Sequence, residues 1–283
     1  MEKSSSGKKT NIQLLENMCY FIRRCIISLL SAGPVPTHIA FIMDGNRRYA
    51  KKQNLEEGHG HRAGFAALIN LLKYCYEFGV KYITVYAFSI DNFKRRPEEV
   101  GSLMLLMQEK IEELIKEESL VNSYGVRLYF KGNLDLLSDS VRSSAERAMV
   151  ATSGNSKTIL SICVAYTSTD EIVHAVELSC EEKWQSSDMY RPVNGNGKNE
   201  NLNIGVTDIN RHMYMAGVPD PNIIIRTSGE TRLSNFLLWQ SSKCLLYSPE
   251  SLWPEMGFRH LVWAIVNFQR YAVYLKGAKE KET

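Results

Sequence analysis

Six β-rich runs separated by helical patterns predict an α/β protein: a single domain with a central, mostly parallel six-stranded sheet flanked by helices. The runs are His38–Met43, Tyr82–Ser89, Val126–Gly132, Thr158–Tyr166, Asn222–Ser228 and Cys244–Ser248. Most are nearly continuous in apolar or aromatic residues, the pattern of strands buried on both faces. The helical patterns between them supply the crossovers that parallel strands need. A length of 283 residues, 44% hydrophobic and 23% charged, suits one large domain with a sizeable core and excludes global disorder.

In chain order, the first element is an amphipathic helix. Leu14, Leu15, Met18, Phe21, Ile22, Cys25, Ile26, Leu29 and Leu30 recur at three- and four-residue spacing, with Asn17, Arg24 and Ser28 between them. Its apolar runs fall far short of the roughly 18–20 residues that span a bilayer. Such a helix packs on the core or a partner, or lies in a membrane surface with its basic groups toward headgroups. This appendage, residues 1–33, stands apart from the body of the chain over 34–275 and a charged tail over 276–283. After the first β-run, His61–Phe78 is helical, and Gly79 closes it as a C-cap signal. Pro97–Val121 opens on Pro97 with Glu98 and Glu99 in its first turn, and Val100, Leu103, Met104, Met107, Ile111, Leu114 and Ile115 form its apolar stripe. Ser138–Ala151, Ser168–Trp184 and Arg259–Leu275 complete the helices. Gln185–Gly205, rich in Asn, Gly and Ser, reads as a mobile surface loop.

The net charge of +3 argues against a dedicated nucleic-acid binder. Residues 1–30 carry all of it: Lys3, Lys8, Lys9, Arg23 and Arg24 face only Glu2 and Glu16, which leaves the remainder of the chain neutral. Six cysteines are scattered without a C-x-x-C spacing, which argues against a disulfide framework or a thiolate zinc site and fits a reducing compartment. Met1–Thr10 is polar, and Arg23 and Arg24 break the apolar stretch that follows, so no signal peptide or transmembrane helix is expected.

In an open parallel sheet, ligands bind beyond the carboxyl ends of the strands. The residues there are Asp44-Gly45-Asn46-Arg47-Arg48 after the first run and Ser89-Ile90-Asp91-Asn92-Phe93-Lys94-Arg95-Arg96 after the second. Arg226-Thr227-Ser228-Gly229-Glu230-Thr231-Arg232-Leu233-Ser234 closes the fifth. Small and basic residues dominate, which points to phosphate. Gly45 allows close backbone approach and a following helix would aim N–H groups at an anion, while Arg48, Arg226 and Arg232 can each engage phosphate bidentately. Asp44 suits Mg²⁺, which commonly takes one or two carboxylates plus phosphate oxygens. Gly58-His59-Gly60-His61 reads as a metal pair, a phosphate donor or a helix start. There is no G-x-x-x-x-G-K-[ST] loop, G-x-G-x-x-G fingerprint, G-x-S-x-G elbow or D-D-x-x-D cluster.

These segments together resemble the signatures of the cis-prenyltransferases. His38 to Arg48 resembles the first signature, and Gly60-His61-Arg62-Ala63-Gly64 and Tyr86 to Phe93 the next two. Ile225 to Gln240 resembles the longest, and Leu252-Trp253-Pro254-Glu255 follows in the family's order. The likeness covers about residues 34–270 and is greatest to eukaryotic dehydrodolichyl diphosphate synthases, particularly plant forms that include rubber-type enzymes.

The resemblance implies elongation of an allylic starter such as farnesyl diphosphate by isopentenyl diphosphate with cis geometry, assisted by Mg²⁺, in a fold enclosing a hydrophobic tunnel. It implies Asp44 as the Mg²⁺-linked carboxylate, with Gly45, Asn46, Arg47, Arg48 and His61 around the starter's diphosphate. Arg226, Arg232 and Ser234 would bind the diphosphate of isopentenyl diphosphate. Ser89, Asn92, Phe93 and Arg95 match the loop that closes over both substrates, Asn92 being the family's candidate for assisting proton removal. The helix from Pro97 would line the tunnel, and extra length around Glu112–Glu118 leans toward a long product. A lipid product implies peripheral work on the cytoplasmic face of the endoplasmic reticulum membrane.

Three features depart from the bacterial pattern. Glu57 stands where a basic residue helps hold the starter, and Leu245 where bacterial members place a glutamate. The chain closes on Lys276-Gly277-Ala278-Lys279-Glu280-Lys281-Glu282-Thr283 without the C-terminal Arg-x-Gly of homodimeric members. A second, non-catalytic family member that supplies Arg-x-Gly is the expected partner.

Overall fold

The computed structural model describes the backbone of residues 3–116, 120–189 and 203–282, with side chains from residue 13 onward apart from 15, 57, 120, 186–189 and 273–282. The six strands are β1 (His38–Ile42), β2 (Tyr82–Ser89), β3 (Val126–Lys131), β4 (Thr158–Tyr166), β5 (Ile223–Arg226) and β6 (Leu245–Tyr247). They form one sheet in the order β3-β4-β2-β1-β5-β6, and every neighbouring pair is parallel. The chain leaves β1 toward β2 on one side and later returns to β5 on the other. The reversal beside β1 opens a crevice at the strands' carboxyl ends.

Helices cover both faces: α1 (Lys3–Leu30), α2 (Asn46–Lys52), α3 (Glu57–Glu77), α4 (Pro97–Leu114), α5 (Leu120–Ser123), α6 (Asp139–Ala151), α7 (Ser168–Met189), α8 (Val206–His212) and α9 (Phe258–Glu282). The two-residue period of a strand divides the core. Ile39 and Phe41 of β1 and Ile223 and Ile225 of β5 join Leu68, Leu71, Ile111, Ala145, Leu261 and Ile265 on one face. Ala40, Ile42 and Ile224 point the other way, to Tyr166, Met215, Phe236 and Leu237. The central strands β1 and β5 are buried throughout, whereas the edge strand β3 alternates buried with half-buried residues.

Two expectations change. The helix from Pro97 ends at Leu114 and does not run to Val121; α5 is a separate turn, and residues 117–119 lie outside the described part. The helix from Ser168 passes Trp184 and reaches Met189, so 185–189 are helical and not loop. The rest of the expected loop falls largely on 190–202, outside the described residues. Asn and Ser lower helix propensity only weakly, and five more residues extend a helix already paid for by packing.

Helix α1 docks by its C-terminal part. Arg23 lies against Glu77 of α3, with Nη2 donating to Oε1 at 3.1 Å and Nε 3.0 Å from Oε2, and it sits over the Tyr74 ring. Ile27 and Leu30 pack on the core, while Leu14, Phe21 and Leu29 are about two-thirds exposed or more (68%, 68% and 75%). Packing therefore accounts for one part of the apolar stripe and leaves the other bare.

Glycines let α2 press on α3. A Cβ at Gly60 would lie 2.2 Å from the Asn46 carbonyl oxygen, and one at Gly64 would lie 2.2 Å from Asn46 Oδ1 and 2.9 Å from Trp253 Cδ1. Gly64→Ala should destabilise the fold by about 1–3 kcal/mol through overpacking. Denaturant titration checks this, and an unchanged midpoint would exclude the tight contact.

Candidate active site

The site is built on Asp44, two residues beyond β1. Its main chain is pinned first. The Asp44 N–H donates to Thr227 Oγ1 at 3.0 Å, and its carbonyl accepts from Thr227 Oγ1 at 2.6 Å, Ser228 Oγ at 3.0 Å and the Trp253 N–H at 2.9 Å. Gly45 makes this crossing possible. Its φ is 106°, and a Cβ there would lie 2.5 Å from Ser228 Oγ.

The carboxylate then meets two guanidinium groups. Arg226 Nη2 donates to Oδ2 at 2.9 Å and Arg48 Nη2 to Oδ1 at 3.2 Å. Burial acts to raise the Asp44 pKa, but Arg226 and then Arg48 outweigh it and hold the carboxyl below its ordinary value. Arg226 itself is buried and also donates through Nη1 to the Arg232 carbonyl at 2.6 Å and Ser234 Oγ at 2.5 Å. Its Nε is buried with no hydrogen-bond partner.

Ser234 is presented by a strained loop. Ser234, Asn235 and Leu237 all have positive φ (49°, 59° and 48°), a conformation costing about 1–3 kcal/mol per residue. The N-terminus of α7 holds it in place. The Ser168 N–H donates to the Asn235 carbonyl at 2.7 Å, Ser168 Oγ accepts from the Leu238 N–H at 2.9 Å, and Asn235 Oδ1 accepts from the Thr169 N–H at 3.1 Å. Below it, the buried Glu171 carboxylate accepts from Tyr166 Oη at 2.5 Å, Gln240 Nε2 at 3.1 Å and the Met215 N–H at 2.8 Å. Buried Phe236 and Leu237 supply the apolar anchor that sustains the strain.

After β2, a 3₁₀ turn over Ile90–Lys94 carries the third group. The Ser89 N–H donates to Asn92 Oδ1 at 3.0 Å and Ser89 Oγ accepts from the Asp91 N–H at 3.1 Å, a reciprocal cap. Phe93 packs edge-on against Phe88, their ring centroids 4.9 Å apart. Glu99 gathers two arginines at the start of α4: Arg95 at 2.8 Å and Arg47 at 3.6 Å.

These groups ring the mouth of a cavity of about 740 Å³. Asp44, Asn46, Arg47, His61, Ser89, Asn92, Arg95, Arg226, Arg232 and Ser234 all line it, so most of the residues singled out in the sequence converge. Three do not reach the lining: Gly45 is wedged under Ser228, Arg48 reaches Asp44 from the exposed side, and Phe93 stands behind Phe88. The interior is apolar, with Phe65 and Leu68 from α3, Leu103, Leu106, Met107 and Leu114 from α4, and Val85, Phe130 and Ile162 from the sheet.

Sequence reasoning missed Thr227, Glu171 and Lys110. Thr227 and Glu171 act on other residues and carry no signal of their own. Lys110 did: it falls three residues beyond Met107, on the stripe where an apolar side chain belongs. Of the histidines, His61 lines the cavity while His59 is exposed, so the pair does not converge. His174 stacks on Tyr214 and His212 pairs with Glu182. The Glu57 side chain lies outside the described part, and Leu245 sits half-buried in β6.

Among the described residues no three His, Cys, Asp or Glu side chains cluster as a ready-made metal cage. Asp44 is nonetheless suited to Mg²⁺, which usually keeps waters and substrate phosphate oxygens beside one or two carboxylates. The unpartnered Arg226 Nε and the equally buried and unpartnered Asn46 Oδ1 show a polar mouth built for more contacts than the chain alone supplies.

A polar mouth on an apolar chamber, at the reversal of a parallel sheet, defines a protein that holds an anionic head and a hydrocarbon tail. The family model "Putative undecaprenyl diphosphate synthase" matches residues 42–274, and the chain belongs to this family, the cis-prenyltransferases. It is 69% identical to "Dehydrodolichyl diphosphate synthase CPT3" of Solanum lycopersicum over 98% of both chains. It is 53% identical to "Rubber cis-polyprenyltransferase HRT2" of Hevea brasiliensis, covering 92% of this chain and 93% of that one. Identity to "Dehydrodolichyl diphosphate synthase complex subunit DHDDS" of Homo sapiens is 40%, over 96% of this chain and 77% of that one. Among solved structures, lavandulyl diphosphate synthase of Lavandula x intermedia in complex with dimethylallyl diphosphate superposes with a TM-score of 0.73. The identity there is 25%, over 83% of this chain and 95% of that one.

The Asp44 pKa carries a sign. A carboxyl whose native pKa lies below its ordinary 3.8 contributes stability that is fully present above that value and is lost as pH falls through the native one. The stability difference between wild type and Asp44→Asn should therefore shrink below about pH 3.8. Denaturant midpoints across acid pH check this; a constant difference would mean that the two arginines do not depress the titration.

Proposed function

We propose that the chain is the catalytic subunit of a cis-prenyl elongating enzyme that condenses isopentenyl diphosphate onto an allylic starter such as farnesyl diphosphate. The product is a long-chain polyprenyl diphosphate of the dolichol or rubber type. One observation carries this reading: Asp44, held between Arg226 and Arg48, stands at the mouth of an apolar cavity of about 740 Å³.

Each condensation joins two carbons and releases one diphosphate and one proton. The chemistry asks for neutralisation of charge growing on the leaving diphosphate. Mg²⁺, when bound at Asp44, supplies part of that as a Lewis acid. Asn46, Arg47, Arg48 and His61 surround the starter's diphosphate, with Gly45 giving its backbone room. Arg226, Arg232 and Ser234 take the second diphosphate. Because Arg226 is buried and its direction is set by Arg232 and Ser234, its donors are in place before charge develops. Ser89, Asn92 and Arg95 close the mouth, and Phe93 braces their turn from behind Phe88. Asn92 Oδ1 already accepts from the Ser89 N–H, so its amide is oriented to guide the departing proton. The tail lies in the apolar chamber along α4.

Asp44→Ala should abolish nearly all elongation while leaving the fold intact. Incorporation of labelled isopentenyl diphosphate alongside circular dichroism tests this, and retained elongation would overturn the Asp44 assignment.

The enzyme works as a heteromer with a non-catalytic relative that brings Arg-x-Gly, a reading supported by the word "complex" in the human relative's name. The bare apolar residues of α1 suit the cytoplasmic face of the endoplasmic reticulum membrane, approached peripherally. No described helix is long and apolar enough to cross a membrane. The purified chain should elongate weakly by itself and strongly once the partner is added. Full activity of the isolated chain would refute the heteromer.

A further inference from the structure

The chain between β6 and α9 runs directly behind the mouth. The carbonyls of Pro249 and Ser251 accept from the Gly229 and Ser228 N–H groups, both at 2.9 Å. The Leu252 side chain closes over Gly45, where a Cβ would lie 2.9 Å from Leu252 Cδ2, and the Trp253 N–H donates to the Asp44 carbonyl. The run Ser251-Leu252-Trp253 therefore touches both the segment at Asp44 and the segment that follows β5. Beyond it, the 3₁₀ turn over Trp253–Glu255 is tied to α2, with Glu255 at 2.6 Å from Lys52.

The near end of this run is gripped by a side chain of α9 that the chemistry above does not use. His260 Nδ1 accepts from the Gly257 N–H at 3.1 Å, which leaves the ring proton on Nε2, and Nε2 donates to Ser251 Oγ at 2.8 Å. One nitrogen thus caps the start of α9 and the other holds Ser251. Burial and the adjacent Arg259 push the His260 pKa below the ordinary 6.5 against the pull of Glu255, so the neutral ring this pattern needs is present near neutral pH. The helix behind it is a firm base, with Leu261, Ala264 and Ile265 buried in the core.

Resting on the elongation reading above, we propose that His260 is a positioning residue for the condensation. Through Ser251 it holds the run Ser251-Leu252-Trp253 against Ser228 and Asp44, and so sets where the Asp44 carboxylate stands relative to Arg226. His260 itself does not line the cavity. Arg226 takes its direction independently, from the Arg232 carbonyl and Ser234 Oγ. Loss of the brace therefore slows turnover and leaves the affinity for isopentenyl diphosphate in place. Reacting groups tolerate little displacement, and a misplacement of about 1 Å costs up to about a hundredfold in rate.

The two ring nitrogens are tested apart in the full chain, in the enzyme composition that elongates, with farnesyl diphosphate, labelled isopentenyl diphosphate and Mg²⁺. His260→Asn keeps an acceptor for the Gly257 N–H and falls short of Ser251. It should lower kcat by about three- to tenfold, the worth of one hydrogen bond, with the KM for isopentenyl diphosphate within about twofold. His260→Gln carries an N–H to Ser251 and gives up the cap, so it should restore most of kcat while having the lower denaturant midpoint of the two. Ser251→Ala keeps the carbonyl that Ser228 uses. It should lose as much as His260→Asn, and the double variant should lose no more than either, which keeps the test decisive should His260→Asn not fold. Amide exchange at Ser228 should quicken in Ser251→Ala and stay near the wild-type rate in His260→Gln. An unchanged kcat or unchanged Ser228 exchange in Ser251→Ala overturns the positioning role alone, as do rates that follow the denaturant midpoints instead of the Ser251 contact. Failure of the wild type to add any unit overturns it together with the elongation reading.

Discussion

Everything at the mouth depends on how Asp44 is tied to the end of β5. Thr227 and Ser228 hold its main chain, and Arg226, one residue earlier on the same strand, holds its carboxylate. Two neighbouring parallel strands thus deliver a carboxylate and a guanidinium to one point with little freedom in either. Gly45 is the cost of that arrangement, since the chain must turn through a conformation closed to other residues under Ser228. Trp253 completes the knot from behind: its N–H donates to the Asp44 carbonyl, and its indole N–H donates to the Gly64 carbonyl at 2.8 Å. The head-group site and the α3 wall of the chamber are therefore parts of one rigid unit.

The strands were legible because a doubly covered parallel sheet writes itself as uninterrupted apolar runs. β2 and β4 match the predicted limits, and the other four are each shorter by one to three residues. Helix ends were less legible. Leu114 ends α4 although the stripe continues through Ile115, since a periodic pattern marks a buried face and not where backbone hydrogen bonding stops. The site residues that touch the cavity were readable as small and basic residues after strands. Thr227 and Glu171 were not, because Thr227 acts on Asp44, 183 positions away, and Glu171 ties in Met215 and Gln240, 44 and 69 positions away.

Near-neutral composition concealed a strongly organised charge pattern. The arginines at the mouth are offset locally: Arg47 and Arg95 by Glu99, Arg48 by Asp44 and Glu230, Arg232 by Glu230. Each carboxylate restrains its arginine and lowers the penalty of crowding cations at one mouth. Whole-chain charge cannot report this, since the pairs cancel.

The two ends of the cavity apply opposite physics to one amphiphile. At the mouth, selectivity comes from rigid, partly buried groups whose positions are over-determined: Arg226 has three acceptors on three different residues, and the strained turn at Ser234 is held by α7. Rigidity is useful there because the charge to be stabilised is the same at every addition. The tail, by contrast, is longer at every addition, and no fixed apolar chamber can match all of its lengths.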